Sequence, residues 1–183
     1  MNRRTFIKAS IVSGVTIVGV GGGSLLLIDG TNQDELTIDL ALKKLDVLST
    51  LNNESLIHLG EWDPYQIFTH CAQSVEFSMS KFPIHKSSFF KNTLGKLAFS
   101  IFSHKGKMTH GLNEPIPGAP TLSSKTNTSD FKKALNRLKE ALMAFDKYQG
   151  DIAPHFAYGE LTKKEFEMAH VLHLYNHLQE IMT

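Results

Sequence analysis

From residue 36 onward the apolar positions recur at helical spacing almost without interruption. Leu36, Leu40, Leu45, Leu48 and Leu51 predict a first helix of about fifteen residues, ending at Asn52-Asn53. Asp63 and Pro64 form an N-cap and first-turn pair. They open a second helix that runs to about Lys81 and is closed by Pro83. Leu94, Leu97, Ala98, Ile101 and Phe102 predict a shorter third helix. From His104 to Ser129 the period lapses; Gly, Pro, Ser, Thr and Asn dominate, with PIPGAP at Pro115 to Pro120. This reads as a long crossing loop within one domain, because neither flank could stand alone. Ser129 or Asp130 is expected to cap a fourth helix carrying Phe131, Leu135, Leu138, Leu142 and Phe145, the seam of a packed bundle helix. Gly150, Pro154 and Gly159 break the chain again. Thr162 with Glu165 makes a capping box for a last helix reaching about Met182. No period-2 run and no internal repeat is evident. The expected fold is all-α: a four-helix bundle with a short extra helix and a long crossing loop.

The chain before this bundle has a different character. It begins MNRRTFIK, and Ala9 to Ile28 then carries no charge. A basic start followed by an apolar run is the signature of an export signal. Arg3 and Arg4, followed by Phe6, Ile7 and Lys8, resemble the twin-arginine translocation motif. Five glycines among Gly14 to Gly23, with Ser10, Ser13 and Thr16, dilute the run below the usual apolarity of a spanning helix. The alternative is a plain transmembrane anchor, since about twenty uncharged residues suffice to cross a bilayer. No small-x-small cleavage site stands between Gly23 and Gly30, so an uncleaved anchor stays open. Residues 1–30 are therefore read as a signal or anchor and residues 31–183 as the bundle domain. The expected location is the bacterial periplasm, free or tethered to the inner membrane; the membrane would be met only through the N-terminal segment.

Composition narrows the function by exclusion. The 183 residues hold 19 basic and 18 acidic side chains, a formal charge of +1. Setting aside Arg3, Arg4, Lys8 and Asp29 turns it to −1. Neither balance suits a nucleic-acid partner, which would call for a basic excess. The lone cysteine, Cys71, excludes an internal disulfide framework and any Cys-based zinc ribbon, and reads as a small buried apolar residue. Histidine is the residue in excess, with nine copies.

Three of those nine lie in EMAHVLHLYNHLQEI, on the last helix. At about 100° per residue, His170, His173 and His177 share a sector of about 60° with Phe166, and Ile181 lies about 20° beyond its edge. Histidines on an apolar stripe face the core, where an unpartnered imidazole is costly. His173 and His177 are an i, i+4 pair, one turn apart, so both can reach one ion. A third ligand must come from elsewhere, and His70, midway along the second helix, is the best candidate. Three neutral imidazoles suit zinc, nickel or iron(II) rather than calcium or magnesium, and leave coordination positions open. Against this stands the plainer reading of each histidine as a core residue satisfied by one hydrogen bond. His58, His85, His104 and His110, near loops or helix ends, are expected to be solvated.

The strings WDPYQIFTHCAQSVEF, PIPGAP, HFAYGELTKKEF and HVLHLYNHLQEI resemble the domain of unknown function 1569 family, from about Leu36 to Met182. That family belongs with the DinB/YfiT-like helical bundles, regarded as metalloenzymes. The resemblance implies one divalent metal held by one histidine of the second helix and an i, i+4 pair of the last, which are His70, His173 and His177 here. Relatives tend to carry adjacent histidines where this chain has Asn176 before His177. Asn176, His170 and His155 are therefore candidates for a place around the metal or at the mouth of the site, although His155 reads equally well as a solvated loop residue.

Two functions follow as expectations. One is an exported metal-dependent enzyme acting on a small molecule, by the resemblance a thiol-dependent transferase or a hydrolase. The other is a non-catalytic metal- or ligand-binding bundle at the cell envelope. A third reading makes the histidines vestigial and puts function in the crossing loop and a protein partner. A homodimer is compatible with either of the first two. No catalytic residue is identified; Glu76, Glu160 and Glu165 are the acidic groups nearest in sequence to the proposed ligands or to the start of the last helix.

Overall fold

A computed structural model describes residues 36–182; the expected signal or anchor at residues 1–30 lies outside them. Among the described residues no helix is long and apolar enough to cross a membrane. The order of elements is α1 (Ile38–Ser49), a 3-10 turn (Asn53–Ser55), β1 (Ile57–His58), α2 (Pro64–Met79), α3 (Ser88–Phe90), a π turn (Lys91–Gly95), α4 (Lys96–Lys105), α5 (Thr128–Lys147), α6 (Lys163–Leu178) and β2 (Ile181–Met182).

Four long helices, α1, α2, α5 and α6, pack around one core. The chain starts each of them with a side-chain cap. Thr37 caps α1 by accepting from the Leu40 N–H. Asp63 and Gln66 close a capping box on α2, with Pro64 in its first turn, and Thr162 and Glu165 close another on α6. The cap of α5 is Asn127 rather than Ser129 or Asp130. Its Oδ1 accepts from the Asp130 N–H at 2.8 Å while its Nδ2 donates to the Asp130 carboxylate at 2.8 Å. The amide satisfies both groups at once, accepting through its oxygen and donating through its nitrogen. The predicted seam of α5 is realised, for Phe131, Leu135, Leu138, Leu142 and Phe145 are all buried against α2 and α1.

Helix α2 occupies the middle. Eleven of its residues are buried, Cys71 among them, whose thiol burial holds well above the usual range. Helix α6 ends at Leu178 rather than near Met182. Ile181 and Met182 leave it to pair antiparallel with His58 and Ile57, so the chain carries a two-residue β ladder that period-2 reading could not find.

The third predicted helix exists but faces the other way. Leu94, Leu97 and Ile101 are 58%, 57% and 41% exposed, while Gly95 and Phe99 are buried. The cause is a backbone approach: a Cβ on Gly95 would stand 2.0 Å from the Ala157 carbonyl oxygen. Only glycine permits this contact, and with Phe99 packed on Tyr158 it turns the leucines outward. The π turn just before α4 inserts an extra residue and offsets the register further.

The crossing segment between α4 and α5 is strapped to α2. Gln66 Nε2 donates to the Leu122 carbonyl at 3.1 Å, and Asp63 Oδ2 accepts from Ser124 Oγ and the Lys125 N–H. Met108 and Ile116 are buried pegs of the same strap. It is ordered by these ties although it has no regular structure.

Candidate metal centre

Helices α2 and α6 run against each other, and this contact assembles the histidines. His70 sits in the middle of α2; His173 and His177 stand one turn apart near the end of α6. One ligand atom from each lies within 4.8 Å of the others. The Nε2 atoms of His70 and His173 are 3.0 Å apart. Two imidazoles at a usual metal–nitrogen distance of about 2.0–2.1 Å, set at a right angle, would place their nitrogens about 3 Å apart. The three rings meet edge to face, with centroids 4.8, 5.0 and 4.9 Å apart. The indole of Trp62 closes one side, edge-on to His70 and stacked 5.9 Å from His177 at 9°. Water is thereby kept from that flank.

The polar accounting of the cluster is incomplete without a further partner. His177 is fully buried, and neither its Nδ1 nor its Nε2 has a hydrogen-bond partner. His70 Nδ1 is also buried and unpartnered. Each such atom costs roughly 1–3 kcal/mol if nothing satisfies it. Burial, with the neighbouring imidazoles adding to it, holds the His177 pKa down to about 2 and that of His70 to about 3. Both rings are therefore neutral near pH 7, the form a metal ligand requires.

A cavity of about 350 Å³ opens beside the cluster. His70 and His173 form part of its inner wall, His155, Phe156 and Tyr158 another, and the strap at Glu114 to Pro117 covers it. His155 is buried rather than solvated. Its Nδ1 accepts from the N–H groups of Ala157 at 3.2 Å and Tyr158 at 3.1 Å, and its ring stacks 4.3 Å from that of Tyr158. The proton of the neutral ring is thus fixed on Nε2. His155 thus lines the cavity, and the reading of it as a solvated loop histidine is corrected by its burial.

The other candidates separate. His170 stands outside the group of three, among Phe145 and Phe166, with Nε2 3.1 Å from Ser78 Oγ. The Ser78 hydroxyl donates to the Val75 carbonyl at 2.6 Å, so His170 must be the donor. Asn176 is buried beside Gly106, Lys107 and Gln179, apart from the large cavity. Glu76 is held by Arg137 in a two-point ion pair at 2.8 and 2.6 Å, and Glu165 is held in the α6 capping box. Glu160 does not line the cavity; Glu114, from the crossing strap, is its one carboxylate among the described residues.

Two members of the site were invisible to spacing. Trp62 precedes the α2 cap and carries no periodic signal. His110, expected to be solvated, lies half-buried in the crossing strap with its ring centroid 4.9 Å from that of His173 and 5.1 Å from that of His177. Loops have no period from which a facing direction can be read; only the strap's ties to α2 bring His110 here. His58 and His104 are exposed as expected, and His85 lies at an intermediate depth.

The sequence model of the family described as protein of unknown function (DUF1569) matches residues 30–183, and the chain belongs to that family. No curated protein and no solved structure matches it.

Proposed function

We propose that this DUF1569 protein is a divalent-metal protein in which His70, His173 and His177 hold the ion and the adjoining cavity admits a small molecule. One observation carries the reading: His177 is fully buried with both ring nitrogens unpartnered, at the meeting point of two other imidazoles. A structural role for His177 would leave both nitrogens unsatisfied, whereas a ligand role satisfies the one that binds the ion. The donor set is three neutral nitrogens with no carboxylate, which suits zinc, nickel or iron(II).

When bound, such an ion supplies Lewis-acid activation of a water or thiol at its open position. The chain's own groups supply the rest. Trp62 excludes water from the rear of the cluster. His155 offers a donor of fixed tautomer, and Glu114 offers the cavity's carboxylate. These support a transfer or hydrolysis reaction on a small substrate, in keeping with the DinB-like resemblance, over a binding role alone. Export, free or tethered, is part of the proposal and rests on Arg3, Arg4 and the uncharged run Ala9 to Ile28.

The test is metal analysis of the full chain, purified from a culture supplied with zinc, nickel and iron. About one equivalent in the native protein and none in His173→Ala is the expected result. Substoichiometric metal in both would overturn the assignment. A hydrolysis and thiol-transfer screen on the loaded protein then separates an enzyme, which turns over, from a binding protein, which does not.

A further inference from the structure

The four imidazoles at this site are not equivalent, and His110 differs in where it comes from. The other three stand on α2 and α6, rigid and packed. His110 stands on the strap, between the buried pegs Met108 and Ile116. Its Nδ1 lies 2.7 Å from the Gly111 carbonyl oxygen, so Nδ1–H donates and the lone pair of the neutral ring is on Nε2. That Nε2 is buried and has no partner. The ring faces those of His173 and His177 at centroid distances of 4.9 and 5.1 Å, close to the spacing the three predicted ligands keep among themselves. Yet His110 does not belong to the group whose ligand atoms lie within 4.8 Å of one another.

We infer that His110 is a fourth, exchangeable metal ligand, delivered by the crossing strap. The inference rests on the three-histidine reading and extends it. A backbone carbonyl fixing Nδ1–H, and so aiming the lone pair of Nε2, is the arrangement by which ligating histidines are oriented. With His110 bound, four nitrogens complete a tetrahedral set and the site is closed; with His110 withdrawn, three ligands remain and a position opens to water or substrate. The strap that carries His110 also carries Glu114, Ile116 and Pro117 into the cavity wall, so a ligand entering there meets the same segment. Closure and cavity occupancy are thereby coupled: a small molecule coordinating the ion competes with His110 for one position.

The test is cobalt(II) titration of the full chain, read by visible absorption, in native protein and in His110→Ala and His110→Gln. Native protein is expected to show the intense bands of a four-coordinate, nitrogen-bound ion. Both variants should still bind cobalt, with affinity lower by about tenfold to a hundredfold and with weaker bands of a solvated ion. Added imidazole should restore the native spectrum in His110→Ala and leave the native protein unchanged. His110→Gln keeps much of the side-chain volume, and circular dichroism of both metal-free variants should match the native chain. Cobalt binding with identical affinity and spectrum in all three proteins would overturn the role of His110 while leaving the three-histidine site intact. Failure of the native chain itself to bind cobalt would overturn the underlying reading and this inference with it.

Discussion

Helices α5 and α6 are both packed against the same core, yet only α6 buries polar side chains along with its apolar ones. Every buried residue of α5 is apolar: Phe131, Ala134, Leu135, Leu138, Ala141, Leu142 and Phe145. Its other face carries charges such as Arg137 and Lys139, so it is a one-sided amphipathic helix whose burial stabilises the fold. Helix α6 buries residues on nearly every side, and His170, Asn176 and His177 are among them. Of these, His170 is paired with Ser78, whereas neither ring nitrogen of His177 has a partner. The difference shows where stability has been given up: a helix that served packing alone would carry leucine where His177 stands.

Several outcomes would break or sharpen that contrast. The largest is acid sensitivity. His70, His155, His170, His173 and His177 all have pKa values held below 6.5 by burial. In the unfolded chain they protonate near pH 6.5, while in the folded chain they stay neutral, so the unfolded state binds more protons below that pH. Stability is therefore full above pH 6.5 and falls as pH drops toward 3, by up to about 1.4 kcal/mol per pH unit for each ring. The metal-free full chain should unfold in this window, as followed by circular dichroism. An unchanged melting temperature down to pH 4 would contradict the buried, neutral state of the cluster.

Next in size is a core deletion on α5. Leu138→Ala should cost roughly 2–5 kcal/mol in chemical denaturation and leave metal content per folded molecule unchanged. The matching change on α6 has the opposite sign. His177→Leu removes two unpartnered buried nitrogens and should stabilise the metal-free chain by roughly 1–3 kcal/mol. A loss of stability in that variant would show that His177 is a structural group. Smaller still, Thr162→Ala removes the cap of α6 and should cost about 1 kcal/mol. Glu76→Gln, which breaks the half-exposed pair with Arg137, should cost no more than about 1 kcal/mol and leave metal affinity unchanged.

The same contrast explains what was legible in the sequence. The stripe of α5 and the capping signals of α2 and α6 are local patterns, and the fold realises them. The trio His70, His173 and His177 was reachable because two members share a helix face and the third stands midway along another helix read as buried; the family resemblance implies the same set. Leu94, Leu97 and Ile101 misled because periodicity reports that a helix has an apolar side, not that anything covers it; the Gly95–Ala157 approach decided the matter. The short β ladder, Trp62 and His110 depend on contacts between residues far apart in the chain. His110 and His177 are 67 residues apart, and no spacing rule connects a loop residue to a helix it has yet to meet.

The central claim, that His177 of α6 is a metal ligand together with His70 and His173, is tested most directly by thermal unfolding of the full chain with and without zinc at about a hundred times its dissociation constant. Binding at that excess adds about 2.7 kcal/mol. For a chain of this size that is a rise in Tm of roughly 5–10 °C. The native protein should show that rise and His177→Leu should show none. An equal shift in both proteins, or no shift in the native chain, would contradict the account.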